Sequence, residues 1–134
     1  MSTECLFCKI ASGEIPSKKI FEDEEVYVFL DIFPANLGHS LIIPKSHHKD
    51  IFDTPADLYS KVAATAKEIA HLLQSKLGAE GVTILQANKE AGWQTVFHLH
   101  MHVIPRYTGD KLHKPWDIAS ASEESLTEIQ ALLK

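Results

Sequence analysis

The sequence predicts an α+β domain: an antiparallel sheet of about five strands, one long helix on a face, and a short helix at the C-terminus. Three observations carry this prediction. Leu58, Val62, Ala66, Ile69, Leu73 and Leu77 recur every three or four residues, which is one apolar stripe at helical period. Several short apolar runs, bounded by Gly, Pro, Asn and Asp, read as strands. The chain has 134 residues, 45% of them hydrophobic, which is the size and composition of one globular domain spanning 1–134. Folding such a chain removes roughly two-thirds of its unfolded surface from water.

Taken in order, residues 1–18 form a compact lead-in with a helical turn around Phe7 to Ser12, closed by Gly13 and Pro16. Lys19 to Phe21 and Glu25 to Leu30 read as a hairpin turning at Asp23-Glu24. Asp31 to His39 is a loop broken by Pro34, Asn36 and Gly38. Ser40 to Pro44 is a short buried strand ended by a proline, which cannot donate to a ladder. The long helix runs from Pro55 to Leu77, with Thr54 as N-cap, Pro55 at the first helical position and Gly78 as the C-terminal cap. Val82 to Asn88 and Val96 to Ile104 are two more strands, the second closed by Pro105. The tail from about 108 onward carries a helix at Ser122 to Leu133, with Leu126, Ile129 and Leu133 on one side.

The formal charge of -5 disfavours a nucleic-acid binder that works by neutralising many phosphates. No apolar run approaches the ~20 residues of a membrane span. The N-terminus has no basic, apolar leader, so a cytoplasmic location is expected.

The most informative stretch is Phe97-His98-Leu99-His100-Met101-His102-Val103-Ile104. On a strand, side chains alternate between faces. His98, His100 and His102 then line one face, toward a cleft or solvent, while Leu99, Met101 and Val103 face the core under the long helix. Three imidazoles in register fit work on an anion, or a metal. A catalytic zinc takes three protein ligands and a water. Alternatively, neutral imidazole is a good nucleophile toward phosphorus, and splits one hard displacement into two easier ones. Spacing alone leaves both open. Just upstream, Asn88, Lys89, Gly92, Gln94 and Thr95 form a loop able to present donors to a phosphate.

The run His98 to Ile104 matches the signature His-apolar-His-apolar-His-apolar-apolar at every position, and so resembles the histidine triad (HIT) superfamily. Phe21-Glu22-Asp23, Phe29-Leu30-Asp31-Ile32, Pro34, Gly38-His39, Ile43-Pro44-Lys45, His47, Asn88, Gly92 and Gln94 are similar to its HINT branch, the purine-nucleotide-binding hydrolases. The resemblance covers about residues 5–107. It implies hydrolysis of nucleoside phosphoramidates or related nucleotides. His100 would attack the α-phosphorus, form a covalent nucleotidyl-histidine, and release a nucleoside monophosphate. His102 would bind the phosphate or steady the neighbouring ring. Asn88, Gln94 and Thr95 would hold phosphate oxygens and the leaving group, with Thr95 where many relatives have serine. His39 would lie beneath the triad, Asp31 would contact the ribose hydroxyls, and Phe7, Ile10, Phe29 and Ile32 would wall the base pocket. The resemblance also implies a two-fold homodimer in which the C-terminal segment reaches the partner's site, although the helix after Trp116 departs from the short tail of many relatives. A binding or scaffolding module with little turnover is the alternative function.

Cys5-Leu6-Phe7-Cys8 is a C-x-x-C, in isolation a weak signal. No βαβ unit surrounds it, which argues against a thioredoxin-like role. A tetrahedral zinc needs two more ligands. Many bacterial HIT proteins resemble this chain here, and that resemblance implies a structural zinc held by Cys5, Cys8, His47 and His98. His48 is a substitute for His47. His71 and His113 read as solvated.

Overall fold

The computed structural model describes residues 4–114 and 116–134. Met1 to Thr3, part of the N-terminus read above for a leader, and Pro115 lie outside them. The elements run α1 (Leu6–Ala11), β1 (Lys19–Glu22), β2 (Val26–Leu30), β3 (Ser40–Pro44), α2 (Ala56–Leu77), β4 (Gly81–Leu85), β5 (Met101–Arg106) and α3 (Glu123–Leu133). A single 3₁₀ turn, Glu90–Gly92, lies between β4 and β5. The strands form one antiparallel sheet in the order β1-β2-β3-β5-β4. This is the α+β architecture that the sequence predicts. No helix is long and apolar enough to cross a membrane among the described residues.

The period-two alternation of β2 and β3 builds two cores. Val26, Val28 and Ile42 join Leu99, Met101 and Val103 on the face covered by Val62, Ala66, Ile69 and Leu73 of α2. Tyr27, Phe29, Leu41 and Ile43 point the other way, where Phe7 and Ile10 of α1 cover them. The sheet is therefore buried on both faces at its centre, which explains why β3 is apolar nearly throughout.

The helix start and three strand limits differ from the sequence reading. β4 ends at Leu85, not Asn88, because its pairing with β5 stops where Leu85 meets His102. Pro55, with extended ψ 144°, is the N-cap of α2 rather than its first helical residue, and the Thr54 hydroxyl donates to the Asp50 carbonyl instead of capping. Gly78 closes the helix in the left-handed conformation (φ 69°), as the glycine cap requires. β5 begins at Met101, not Val96, because the Leu99 N–H donates to the His48 carbonyl, outside the ladder. Pro105 sits inside β5 rather than closing it. Pairing of β3 with β5 ends at Val103, so the proline meets a ladder only from β4. α3 has Ser122 as a side-chain N-cap, and none of its residues is buried.

Candidate functional site

The three histidines lie on the α1 side of the sheet, though only His102 belongs to β5. Register fixes its face: His102 stands beside Leu41, and Met101 beside Ile42. The alternation continues back through the irregular segment, so Leu99 enters the α2 core while His98 and His100 pack under α1. Phe7 meets the His100 ring edge-on at 5.0 Å, the His98 ring at 6.0 Å and the Phe29 ring at 5.6 Å. The sequence reading faces this row toward a cleft or solvent. Instead His98 is 0% and His100 5% exposed, because the lead-in closes over them, and only His102 is half-buried.

Main-chain groups fix the tautomers. A carbonyl only accepts and an N–H only donates. His98 Nε2 lies 2.8 Å from the Pro44 carbonyl, so it carries the proton and leaves Nδ1 bare. His100 Nδ1 lies 2.8 Å from the His98 carbonyl, so it carries the proton and leaves the lone pair on Nε2. His39 Nδ1 accepts the Ala35 N–H at 3.0 Å, so His39 Nε2 donates to His102 Nδ1 at 2.9 Å. The neutral His102 ring then has its proton on Nε2. Burial pushes all four rings toward the neutral state: His98 and His102 to about 4, and His39 and His100 below their ordinary value. For His102 the neighbouring His100 and His39 add to burial, while Asp31 opposes it.

Two groups of ligand-type side chains converge, and the tautomers separate them. In the first, Cys5 is the N-cap of α1 and Cys8 stands one turn on, so the C-x-x-C spacing brings both thiols to one side. The bare His98 Nδ1 lies 3.3 Å from Cys5 Sγ, 3.5 Å from Cys8 Sγ and 3.2 Å from His47 Nδ1, which is 3.4 Å from Cys8 Sγ. All four atoms fall within 4.8 Å of one another. A tetrahedral zinc with ordinary bond lengths has edges of about 3.3 Å between nitrogens and about 3.6–3.8 Å to and between sulfurs. The four residues fit that ion, and the His98 proton on the Pro44 carbonyl is the outer contact a zinc-bound imidazole needs. Burial and Cys5 raise the Cys8 thiol to about 11 without a cation.

The second group is Asp31, His39 and His102. Here the Ala35 N–H occupies the His39 lone pair, so Nε2 is a donor and cannot ligate. This is a directed hydrogen-bond relay, with the Asp31 carboxylate 3.6 Å from His39 Nε2. Among the described residues neither group contains His100, and so the three triad rings do not converge on one metal.

The remaining predicted residues separate by environment. Phe7, Ile10 and Phe29 are buried in one cluster, from which Phe7 meets the His100 ring, whereas Ile32 is 77% exposed on the Asp31–His39 loop. Asp31 Oδ1 accepts the Phe33 N–H and shapes that loop. Gln94 is buried, with Nε2 donating to the Lys49 and Val96 carbonyls and Oε1 accepting the Lys89 N–H. Thr95 is exposed beside it, and Asn88 is half-buried. His48 contacts Asp53, not the thiols; His71 and His113 are exposed. Sequence reasoning missed the tautomer-setting Pro44 carbonyl and Ala35 N–H, which have no side-chain signal. It also missed the loop strain at Lys89 and Trp93, both non-glycine residues at positive φ (64° and 76°).

Residues 12–109 match the family described as HIT domain. An uncharacterised HIT-like protein of Methanocaldococcus jannaschii is 44% identical over 106 residues, 79% of this chain and 81% of that protein. Adenylylsulfatase HINT3 of Arabidopsis thaliana is 35% identical over 126 residues, 94% of this chain and 62% of that protein. The crystal structure of a zinc-bound histidine triad family protein from Mycobacterium smegmatis superposes with a TM-score of 0.81 at 38% identity, covering 98% of this chain and 99% of that one.

Proposed function

From the premise that the chain belongs to the HIT family, we propose that it is a nucleotide hydrolase acting on nucleoside phosphoramidates or related adenylyl-type nucleotides through a covalent nucleotidyl-His100. One observation carries this reading: the His98 carbonyl holds the proton on His100 Nδ1, leaving an in-plane lone pair on Nε2 of a ring kept neutral by burial. The Nε2 lone pair forms the bond to the α-phosphorus as the bond to the leaving group breaks. The ring becomes a cation whose Nδ1–H stays on the His98 carbonyl. Water then attacks phosphorus as the bond from phosphorus to Nε2 breaks, and the proton that water loses balances the one the leaving group takes up. The nucleoside monophosphate departs, and the neutral ring returns.

His102 Nε2–H, aimed by the relay from Ala35 through His39, donates to a phosphate oxygen. Asn88 donates to the phosphate, and Gln94 fixes the loop that places Thr95 beside the leaving group, which takes up a proton. Asp31 accepts from the ribose hydroxyls, and Phe7, Ile10, Phe29 and Ile32 bound the purine. These donors stabilise charge as it develops. The zinc implied for Cys5, Cys8, His47 and His98 is structural; when bound, it supplies a cross-link between the lead-in and the triad. A homodimer fits the sheet, because β4 is an edge strand that leaves Ile84 and Leu85 exposed.

The relative named an adenylylsulfatase supports a substrate of the adenylyl type. The test is a panel of adenosine and guanosine phosphoramidates and dinucleotides, assayed with wild type and His100→Ala. Monophosphate release by wild type alone supports the reading; equal release by both contradicts it.

A further inference from the structure

The amide of Asn88 is gripped from two directions. The Ile51 N–H donates to its Oδ1 at 2.7 Å, and a main-chain N–H can only donate, so the atom facing it is oxygen. Gln86, just beyond β4, donates from Nε2 to the same Oδ1 at 2.7 Å and accepts from Asn88 Nδ2 at 3.1 Å. The Gln86 amide has its own anchors. Its Nε2 donates to the Ala87 carbonyl at 3.1 Å, and the Tyr59 hydroxyl, carried on α2, donates to its Oε1 at 3.0 Å. Two amides therefore stand face to face, and the Ile51 N–H and the Gln86 amide together set which way Asn88 points. Asn88 Nδ2 has two protons, and Gln86 takes one.

The chemistry makes this orientation matter. The terminal torsion of asparagine is soft. A freely turning Asn88 would offer an anion its carbonyl oxygen as readily as its N–H, and an acceptor facing a phosphate is repulsive. We propose that Gln86, braced by Tyr59 from α2, is a positioning residue that turns the remaining Asn88 N–H toward the reacting phosphate. This rests on the role given to Asn88 above.

The test uses the full chain with Gln86→Leu, Tyr59→Phe, Asn88→Ala and the paired doubles, with adenosine 5′-phosphoramidate as substrate. Gln86→Leu lowers kcat about tenfold with KM within about twofold, because the donor acts on charge that grows in the transition state. In the Asn88→Ala background the same substitution changes nothing further, as expected of groups acting as one unit. An unchanged kcat in Gln86→Leu, or an equal loss in both backgrounds, overturns the proposal. Should Gln86→Leu fold poorly, Tyr59→Phe carries the same cycle with an expected loss of about threefold.

A second readout is independent of turnover. Adenosine monophosphate shifts one Asn88 side-chain amide proton resonance in wild type and does not in Gln86→Leu. That result with no turnover by wild type contradicts the hydrolase reading alone; a shift that survives Gln86→Leu contradicts the positioning role alone.

Discussion

The carbonyl of His98 accepts the Nδ1–H of His100 at 2.8 Å, while the ring of His98 presents its bare Nδ1 to Cys5, Cys8 and His47. One residue thus joins the thiol cluster through its side chain and sets the tautomer of the proposed nucleophile through its main chain. The structural and chemical halves of the site meet there.

The thiol cluster is expected to bind one zinc per chain, and Cys8→Ser to lose it. Because Cys8 stands at about 11 without a cation, zinc binding at neutral pH releases its proton, and apparent affinity rises with pH. Metal analysis and zinc titrations between pH 6 and 8, on the order of one unit per step, check both statements. Full zinc content in Cys8→Ser, or affinity independent of pH, would contradict them.

Stability should fall on acidification through the histidine range. His98 and His102 stand at about 4 in the folded chain, held down chiefly by burial, against an ordinary 6.5. Between those values the unfolded chain binds more protons, so stability rises with pH across that window. In zinc-free protein, denaturant unfolding is expected to show a plateau above the ordinary histidine value and progressive loss as pH drops toward 4. A flat profile there would mean that the rings are already solvated.

His39→Ala removes the donor that fixes His102. The ring can then place its proton on either nitrogen, and kcat is expected to fall by about tenfold or more while the thiol cluster still holds zinc. Nitrogen NMR of the His102 ring reads the tautomer directly. A single Nε2–H tautomer in the variant would show that the relay has no such role.

Leu99 separates His98 from His100 and is fully buried in the α2 core. Leu99→Ala leaves a cavity there and is expected to cost about 2–5 kcal/mol of stability. Denaturant midpoints measure it. A cost below about 1 kcal/mol would mean that the segment collapses freely, against the packing described.

Much of this was legible in the residues themselves. The apolar stripe of α2 and Gly78 mark that helix because a 3.6-residue period and a left-handed cap leave direct traces. The triad's two-faced pattern was equally plain, since Leu99, Met101 and Val103 do enter the α2 core. What the pattern hid was that alternation persists without a ladder: the Leu99 N–H binds the His48 carbonyl, so the strand starts five residues late. Burial of His98 and His100 was hidden too, because it depends on α1 folding back across the sheet, a contact between residues some 90 positions apart. The tautomers rest on Pro44, Ala35 and His98 main-chain atoms, which every residue type possesses and no sequence pattern marks.

The most direct test is rapid-quench intact mass spectrometry of the full chain mixed with adenosine 5′-phosphoramidate. The account predicts a transient adenylyl adduct that maps to His100, decays as monophosphate appears, and is absent from His100→Ala. Wild-type turnover with no adduct at any mixing time, or turnover that persists in His100→Ala, would contradict it.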